Sequence, residues 1–398
     1  MKQPLIHTDV VVIGGGSAGI AAAVAVAEEG KTVILIEKNN FLGGLATGAE
    51  VGTLCGLYAY SKNSIAEYVV SGFVKNFAEE IKKRSQTEPL SNNIGLHYLP
   101  YNVTAYKEYC EELMQKNNIT VIRNCSLSAV KYNGKSIQSV SIINNEALHT
   151  EIVCKSVIDC SGNSVVSQLL NLDVIKSDTY QAAAQFFTMK GIGSVTESLL
   201  GMILIKEIKI GIDNGSLVSY YDRISIVQGS IKNNEISFKM AIPIEVTHSA
   251  SNKTEIKNKA VEMVNTISMF LIKTVSVFSK STLYHVAPEI GYRVDCRSLG
   301  KYILTETNVL NCEKFDDAIA NGSWPIEKWG QDKRVDMRFF KENDYYQIPK
   351  GCLISNKINN LFFAGRIISA DDNAIASARV MGICLQTGYA AGKLASDT

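Results

Sequence analysis

Three glycines near the start of the chain are spaced as a phosphate-binding loop requires. Gly14, Gly16 and Gly19 form the pattern G-x-G-x-x-G. In such a loop the first glycine permits a tight turn, the second lets the backbone approach a pyrophosphate, and the third lets the following helix pack closely on the preceding strand. The chemistry that this spacing predicts is the binding of a dinucleotide through its phosphates.

The elements around these glycines are the ones that such a loop needs. Residues 9–13 form an apolar run that predicts a buried strand, and residues 20–29 predict an Ala-rich helix that stops at Gly30. Ser17 and Ala18 stand at the start of that helix, whose unpaired N–H groups and partial positive charge favour phosphate oxygens. Because strand, loop and helix are contiguous, the motif predicts a binding site and not a turn that merely packs.

An acidic residue follows at the distance expected for ribose binding. Residues 32–36 predict a second buried strand, and Glu37 comes directly after it, 37 − 14 = 23 positions beyond Gly14. A spacing of about 20 is typical of the carboxylate that accepts hydrogen bonds from the ribose hydroxyls of a dinucleotide. We therefore predict that Glu37 holds the ribose, with Lys38 beside it.

A second glycine loop follows at once, where an NAD-binding domain would continue into its next helix and strand. This order predicts a cofactor that lies extended along the protein and is gripped over more of its length. The predicted contacts from the loop are Gly43, Gly44, Leu45, Ala46 and Thr47.

The C-terminal region repeats a strand-to-helix junction built from small residues. Residues 360–363 predict a short apolar strand that leads into Gly365 and Arg366. A polar loop containing Asp372 follows, and residues 374–394 have helical composition. This junction is of the kind that binds the far end of a flavin.

The start of that last helix has a further consequence for a flavin. A helix that begins near Arg379 and Val380 would direct its positive end at the flavin N1/C2 carbonyl and stabilise the anion that forms on reduction. We predict that Arg366 and Arg379 position the flavin or its loop.

These motifs resemble those of the FAD-dependent oxidoreductases with a bipartite Rossmann-type FAD domain, a family related at fold level to fumarate reductase flavoproteins. The resemblance covers nearly the whole chain and implies that the cofactor is FAD. It also implies that Ser161 and Gly162 lie close to the adenosine side of FAD. Beyond the first loop, the matching segments are residues 42–47, 157–163, 285–293 with Arg297 and Gly300 after them, 364–370 and 377–381.

The chain departs from the family pattern at three positions. Asn163 stands where the family usually carries an acid, and Asp372 and Ile375 stand where histidine is expected. FAD binding is expected to survive these changes because the first motif is intact. The family's specific chemistry is not carried over.

The resemblance implies an α/β fold, in which a Rossmann-type FAD-binding domain with a parallel sheet and a β-meander carries an inserted α+β substrate domain. The FAD-binding domain is expected at residues 1–176 and 350–398, and the substrate or cap domain at residues 177–349. Inside this insertion, residues 185–189 and 235–242 predict strands and residues 261–278 predict a helix.

One absence bears on the reaction. Flavoenzymes that take hydride from NAD(P)H through a dedicated domain normally show a second complete G-x-G-x-x-G motif, and the nearest candidate, residues 191–196, lacks the third glycine. We therefore predict an oxidoreductase that removes hydride from a small organic substrate, as a dehydrogenase, oxidase or desaturase, with reoxidation by oxygen or another acceptor. A flavin monooxygenase fed by a separate reductase and a non-catalytic FAD-binding protein stay open as alternatives.

Three residues are candidates for catalysis by resemblance. Arg293 and Arg297 carry guanidinium groups that can bind a substrate carboxylate bidentately, although an ordinary ion pair between domains explains them equally well. His285 can accept a proton as hydride leaves the substrate, and its alternative role is that of a helix-cap or core histidine. Cys55 follows the second glycine loop; a covalent link to the flavin or a redox role of its thiol stays open, and a small buried hydrophobic residue is the commoner role of such a cysteine.

Composition excludes several other classes of protein. The formal net charge is +1 and no basic patch stands out, so neither nucleic acid nor a membrane surface is an expected partner. Nine cysteines without a C-x-x-C pair predict neither a disulfide framework nor a zinc site, and no metal is expected. The short polar N-terminus lacks a secretory signal, which predicts a cytoplasmic protein. The expected partner is a small-molecule substrate; an external reductase or acceptor and a homo-oligomer stay open.

Overall fold

Helices account for much of the chain in this computed structural model, which describes residues 5–63, 65–330 and 335–398. The first four residues, part of the segment on which the absence of a secretory signal was predicted, lie outside these ranges. The α-helices are α1 (Ser17–Glu28), α2 (Leu45–Gly48), α3 (Gly72–Ser85), α4 (Val103–Lys116), α5 (Val165–Leu169), α6 (Glu197–Asp213), α7 (Ala250–Thr274), α8 (Glu306–Leu310), α9 (Asp372–Ala378) and α10 (Met381–Ser396).

The strands belong to two larger sheets and several short pairings. They are β1 (Ile6–Ile13), β2 (Val33–Ile36), β3 (Thr53–Leu54), β4 (Leu90–Ser91), β5 (His97–Pro100), β6 (Thr120–Ile122), β7 (Cys125–Tyr132), β8 (Ile137–Asn144), β9 (His149–Asp159), β10 (Val174–Ile175), β11 (Ala184–Lys190), β12 (Ile224–Ile226), β13 (Glu235–Ala241), β14 (Thr282–Val286), β15 (Arg297–Ser298), β16 (Ala318–Gly322), β17 (Ile326–Trp329), β18 (Val335–Arg338), β19 (Tyr346–Pro349) and β20 (Leu361–Phe363).

The first large sheet is built around four mutually parallel strands, of which β9 is one. The strand order is β6-β2-β1-β9-β8-β7, and β6, β2, β1 and β9 run parallel to their neighbours. Strands β8 and β7 continue the sheet as an antiparallel meander. Strand β20 also pairs parallel with β9, along residues 157–159 at its carboxyl end. The predicted Rossmann-type parallel sheet with a β-meander is confirmed.

The two terminal regions of the chain are packed tightly against each other. Helices α1 and α10 approach so closely that a Cβ atom on Gly388 would lie 2.1 Å from the Ala18 carbonyl oxygen, and one on Gly392 would lie 2.4 Å from that of Ala22. Only glycine fits at such contacts. Because α1 follows β1 and α10 follows β20, this packing fixes the two predicted cofactor junctions relative to each other.

A second sheet has its own hydrophobic core. Its antiparallel order is β12-β13-β11-β14, and α6 and α7 cover one of its faces. The buried residues of this core all lie between Ala183 and Phe278. Residues 294–348, which the sequence assigned to the inserted domain, instead contribute Val294, Trp324 and Tyr346 to the core around α1 and α10. The domain boundaries themselves stay a prediction.

Most predicted elements are present, with shifted ends in two places. The helix predicted at residues 261–278 is α7, which begins eleven residues earlier because Ser249 caps it by accepting a hydrogen bond from the Asn252 N–H. The helical stretch predicted at residues 374–394 is interrupted at Val380, whose extended backbone (φ −70°, ψ 152°) separates α9 from α10. In the part of the chain that is described, no helix is long and apolar enough to cross a membrane.

Candidate active site

The carboxyl ends of three neighbouring strands bring the predicted motifs together. Ile13 of β1 and Phe363 of β20 both pair with Asp159 of β9, from opposite sides. Each strand is followed directly by a glycine-bearing loop. Junctions that are some 350 residues apart in sequence therefore lie at one edge of one sheet, which is where open α/β sheets bind their ligands.

The two N-terminal glycine loops touch each other. Gly16 and Gly43 form an isolated bridge, and the Gly43 N–H donates to the Gly15 carbonyl oxygen at 2.8 Å. A Cβ atom on Gly44 would lie 2.9 Å from the Gly16 Cα. A side chain at Gly44 would therefore separate the loops, which explains why two glycine loops follow one another so closely in the sequence.

Glu37 lies at the end of β2 with its carboxylate held by the backbone. Its Oε2 accepts a hydrogen bond from the Gly15 N–H at 2.6 Å, and its Oε1 accepts one from the Asn39 N–H at 2.9 Å. Burial raises the pKa of Glu37, although the two N–H donors favour its charged form. Each carboxylate oxygen keeps a second lone pair, so the group can also accept ribose hydroxyls.

We predict that Glu37→Gln weakens FAD binding about tenfold or more, because the amide replaces one acceptor oxygen with an N–H₂ group that faces backbone donors. Equilibrium titration of the apoprotein with FAD, followed by flavin fluorescence, measures the change. Glu289→Gln is a matched control, since Glu289 also lines the cavity but accepts its hydrogen bond from the Asn39 side chain. Wild-type affinity in Glu37→Gln would remove the ribose role.

The loop after β9 is shaped by a buried carboxylate. Asp159 is fully buried and accepts hydrogen bonds from the backbone N–H groups of Ser161 and Val166, both at 2.9 Å. Burial raises the pKa of Asp159. Gly162 has φ +79°, and a Cβ atom there would lie 2.6 Å from the Arg366 Nε. This turn places Ser161 and Gly162 in the wall of the cavity.

All these loops line one large cavity. Its volume is about 990 Å³, at the upper end of the roughly 300–1,000 Å³ typical of small-molecule sites. The glycine loops form part of its lining, and the second sheet contributes Phe186, Ile226 and Lys239. The residues that line the cavity therefore fit FAD. The glycine loops can hold the pyrophosphate, the Glu37 carboxylate can accept the ribose hydroxyls, and the same cavity provides further space beyond them.

Arg366 and Arg379 are held by carbonyl oxygens. The Arg366 Nε donates to the Gly162 carbonyl at 3.0 Å and its Nη1 to that of Tyr292 at 2.7 Å, so Arg366 braces the loop after β9. The Arg379 Nη2 donates to the Gln181 Oε1 at 3.2 Å and to the Glu327 carbonyl at 3.1 Å. Burial lowers the pKa of both guanidinium groups.

The N-terminus of α10 faces the cavity. Val380 is its N-cap residue and provides no side-chain hydrogen bond, and Val380 and Met381 both line the cavity. The positive end of this 16-residue helix is therefore available to negative charge inside the cavity, as the sequence predicted for a flavin.

Several predicted site residues line the cavity. Arg293 is the one predicted catalytic residue among them. The predicted cofactor residues that line it are Gly14, Gly16, Ser17, Ala18, Glu37, Lys38, Gly43, Gly44, Leu45, Ala46, Ser161, Gly162, Gly365, Arg366, Arg379 and Val380.

Gly19 and Thr47 support the cavity wall from behind instead of lining it. A Cβ atom on Gly19 would lie 1.8 Å from the Gly14 carbonyl oxygen, so this glycine allows the helix to approach the loop. The Thr47 Oγ1 donates to the Leu42 carbonyl at 2.6 Å and closes the second glycine loop.

Three further predicted site residues, His285, Arg297 and Asp372, are not among the residues that line the cavity, and their roles at the site stay predictions. The His285 Nε2 contacts the Glu50 Oε1 at 2.7 Å, and 45% of the histidine side chain is exposed. Arg297 is fully buried and donates to the Ala370 carbonyl oxygen, the Ser177 Oγ and Asp372. The Asp372 carboxylate is thus engaged with an arginine, and neither residue lines the cavity.

Sequence reasoning missed a cluster of charged and aromatic residues in the lining of the cavity. Lys239, Glu327 and Trp329 line the cavity close to Arg379 and to Cys55. The Lys239 Nζ lies 4.3 Å from the Trp329 ring centroid, and the Glu327 Oε2 accepts from the Trp324 Nε1 at 3.1 Å. A lysine on the polar face of a strand looks like a solvent-exposed residue in a sequence, so no local signal marked it.

The fold and the cavity define a flavoprotein with a bipartite dinucleotide-binding site. The chain belongs to the FAD dependent oxidoreductase family, whose profile matches residues 9–397, and its cofactor is accordingly FAD. It is an enzyme of the oxidoreductase class.

Individual relatives match over shorter stretches. The β-cyclopiazonate dehydrogenase of Aspergillus oryzae is 51% identical over 39 residues, which are 10% of this chain and 9% of that protein. The NADH:fumarate oxidoreductase of Klebsiella pneumoniae (strain 342) is 25% identical over 186 residues, 39% of this chain and 20% of that protein. Both matches thus span a fifth or less of the relative's length.

A solved structure extends the similarity of fold to the whole chain. The flavin-dependent brominase Bmp2 superposes with a TM-score of 0.50 at 12% identity, over 98% of this chain and 79% of that one. At this level of identity the likeness concerns the fold, and it agrees with the predicted Rossmann-type flavoprotein architecture.

Proposed function

We propose that this enzyme oxidises a small organic substrate by removing a hydride from it. The observation that supports the proposal is that one cavity is lined both by the glycine loops and by Lys239, Glu327 and Trp329. FAD supplies the hydride acceptor when it is bound. The protein has to supply a space beside it that binds the substrate and limits access of water.

The residues at the far end of the cavity have roles that follow from their chemistry. Trp329 and Phe186 provide apolar walls, and Arg293 provides a fixed cation above the indole ring, with its Cζ 4.7 Å from the ring centroid. Burial raises the pKa of Cys55 to about 12, so its thiol stays protonated at neutral pH and is not a nucleophile. These groups bind and orient a substrate; they do not attack it.

The proposal predicts reduction by substrate alone. The FAD-loaded protein should lose its long-wavelength flavin absorption when it is mixed anaerobically with the right member of a panel of alcohols, amines and amino acids, and should regain it when oxygen is admitted. A protein reduced only by added reductant, and then yielding an oxygenated product, would instead be a monooxygenase. Flavin that no small molecule reduces or uses would contradict both enzymatic functions.

A further inference from the structure

Two cations in the cavity have no acidic partner. Arg293 donates from Nη1 to the Ala182 carbonyl oxygen, and neither it nor Lys239 makes an ion pair with any residue that the structure describes. Both lie against the same indole ring, that of Trp329, at 4.7 Å and 4.3 Å from its centroid. The structure thus holds two like charges against one aromatic ring in the lining of the cavity.

Among the residues that the structure describes, the carboxylate that acts on both cations is that of Glu327, and it does not neutralise them. Glu327 lies 4.0 Å from the Arg379 Nη2 and is further engaged by the Trp324 N–H. Counting only described residues of this cluster, Lys239, Arg293 and Arg379 against Glu327 leave a charge of 3 − 1 = +2. A buried charge without a partner raises the free energy of the folded protein, and a bound anion lowers it again.

The pKa of Lys239 is affected by its burial and by the nearby positive charge of Arg293. Burial, followed by repulsion from Arg293, lowers the pKa of Lys239 to about 8. The other charged and titratable groups that face Lys239 are Glu327, Cys55 and Arg379, and the Cys55 thiol is neutral in this range.

We propose that the substrate of this enzyme is a small carboxylate, whose anionic group is bound by Lys239 and Arg293. A carboxylate suits the site because its two oxygens can take one N–H of the guanidinium and one of the ammonium, while the substrate's carbon skeleton rests against Trp329 and Phe186. This inference rests on the proposed function and names the substrate class that it left open.

Calorimetric titration of the FAD-loaded protein with acetate, benzoate and succinate tests the inference. We expect at least one of these acids to bind, and the corresponding neutral amide to bind at least about tenfold more weakly, because the amide lacks the charge. Failure of all three acids to bind, or equal binding of acid and amide, would overturn the inference. Binding of inorganic phosphate without carboxylate binding would overturn it too.

Removing a cation and removing the carboxylate of this cluster should change carboxylate affinity in opposite directions. Lys239→Met should weaken carboxylate binding about tenfold, and Arg293→Met should do the same. Glu327→Gln should tighten it, since the amide keeps an acceptor for the Trp324 N–H while the local positive charge increases by one. Lys190→Met is the matched control, because Lys190 lies in the same sheet but outside the cavity, ion-paired with Glu235 at 3.0 Å.

The pH dependence supplies a readout that a purely structural lysine would not give. Because the folded protein loses the Lys239 charge as the pH rises through about 8, carboxylate affinity should fall between about pH 7 and about pH 9, and Lys239→Met should flatten this fall. Loss of FAD together with carboxylate in Lys239→Met would assign the cations to the cofactor and contradict the inference.

The inference and the proposed function fail in different ways. A protein that is reduced by neutral substrates yet ignores carboxylates would overturn the substrate class alone. A protein that binds carboxylates through Lys239 and Arg293 but is never reduced by any substrate would overturn hydride removal alone.

Discussion

Replacing Gly16 with valine is expected to weaken FAD binding about 100-fold or more while the chain still folds. Gly16 has an extended backbone (φ −76°, ψ −175°) that any residue adopts, and a Cβ atom there would meet only the Gly44 Cα, at 3.8 Å. The protein itself therefore has room for a Cβ atom at this position. The loss arises because the added methyl groups occupy the position from which the backbone approaches the pyrophosphate.

Among the three glycines of the motif, Gly16 is the one at which a substitution is expected to lower FAD affinity without disturbing the fold. Gly14 has φ +98°, and a Cβ atom on Gly19 would lie 1.8 Å from a carbonyl oxygen, so substitutions there disturb the fold itself. At Gly16 the remaining cost is a weaker helix N-cap, about 0.5–1 kcal/mol when valine replaces glycine.

FAD content after reconstitution, together with thermal unfolding of the apoprotein, distinguishes the two effects. Gly201→Val serves as the control, because a Cβ atom at Gly201 meets nothing within 4 Å and that residue lies in α6, away from the cavity. Wild-type FAD affinity in Gly16→Val would show that this loop is not the phosphate cradle, and an equal loss in both variants would show a nonspecific effect.

The cofactor half of the cavity was predictable because its signals are local. Gly14, Gly16 and Glu37 are surrounded by the strand and helix that position them, so the pattern carries its own structural context. The C-terminal junction at Gly365 was also found, since parallel strands place their following loops at one edge of a sheet.

The substrate half was not predictable from spacing. Arg293 and Arg297 stand four residues apart in one segment, yet the first faces the cavity and the second is buried behind it. Residues 287–296 form no helix or regular strand, so no periodicity indicates which side chains point inward. Lys239 posed the converse problem: it lies on the regular alternation of β13, and only the arrangement of the two sheets reveals that its polar face is covered.

Because Arg297 is fully buried, we expect its substitution to lower the stability of the protein. Its Nε, Nη1 and Nη2 donate to three acceptors on two separate segments of the chain, Ser177 on one and Ala370 and Asp372 on the other. A residue that joins β15 to the start of α9 in this way positions α9, and through it the cavity residues that follow at Arg379 and Val380.

We expect Arg297→Met to lower the free energy of unfolding by about 3 kcal/mol. This is the lower end of the range for breaking a buried ion pair, because 34% of the Asp372 side chain is exposed and water can solvate the carboxylate that is left unpaired. Denaturant unfolding of the apoprotein measures the change. The double variant Arg297→Met/Asp372→Asn should lose clearly less than the sum of the two single variants, since each single change leaves a partner behind.

The same variant decides between the structural and the catalytic role of Arg297. Below its unfolding transition, Arg297→Met should bind FAD, and any carboxylate that the wild type binds, with affinities within about threefold of the wild type. Arg297→Lys should also be destabilised, because a single ammonium cannot reach three acceptors that a planar guanidinium spans. An Arg297→Met protein as stable as the wild type but unable to bind substrate would restore the role that the sequence predicted, and would require that this guanidinium reach the cavity in a conformation different from the one described.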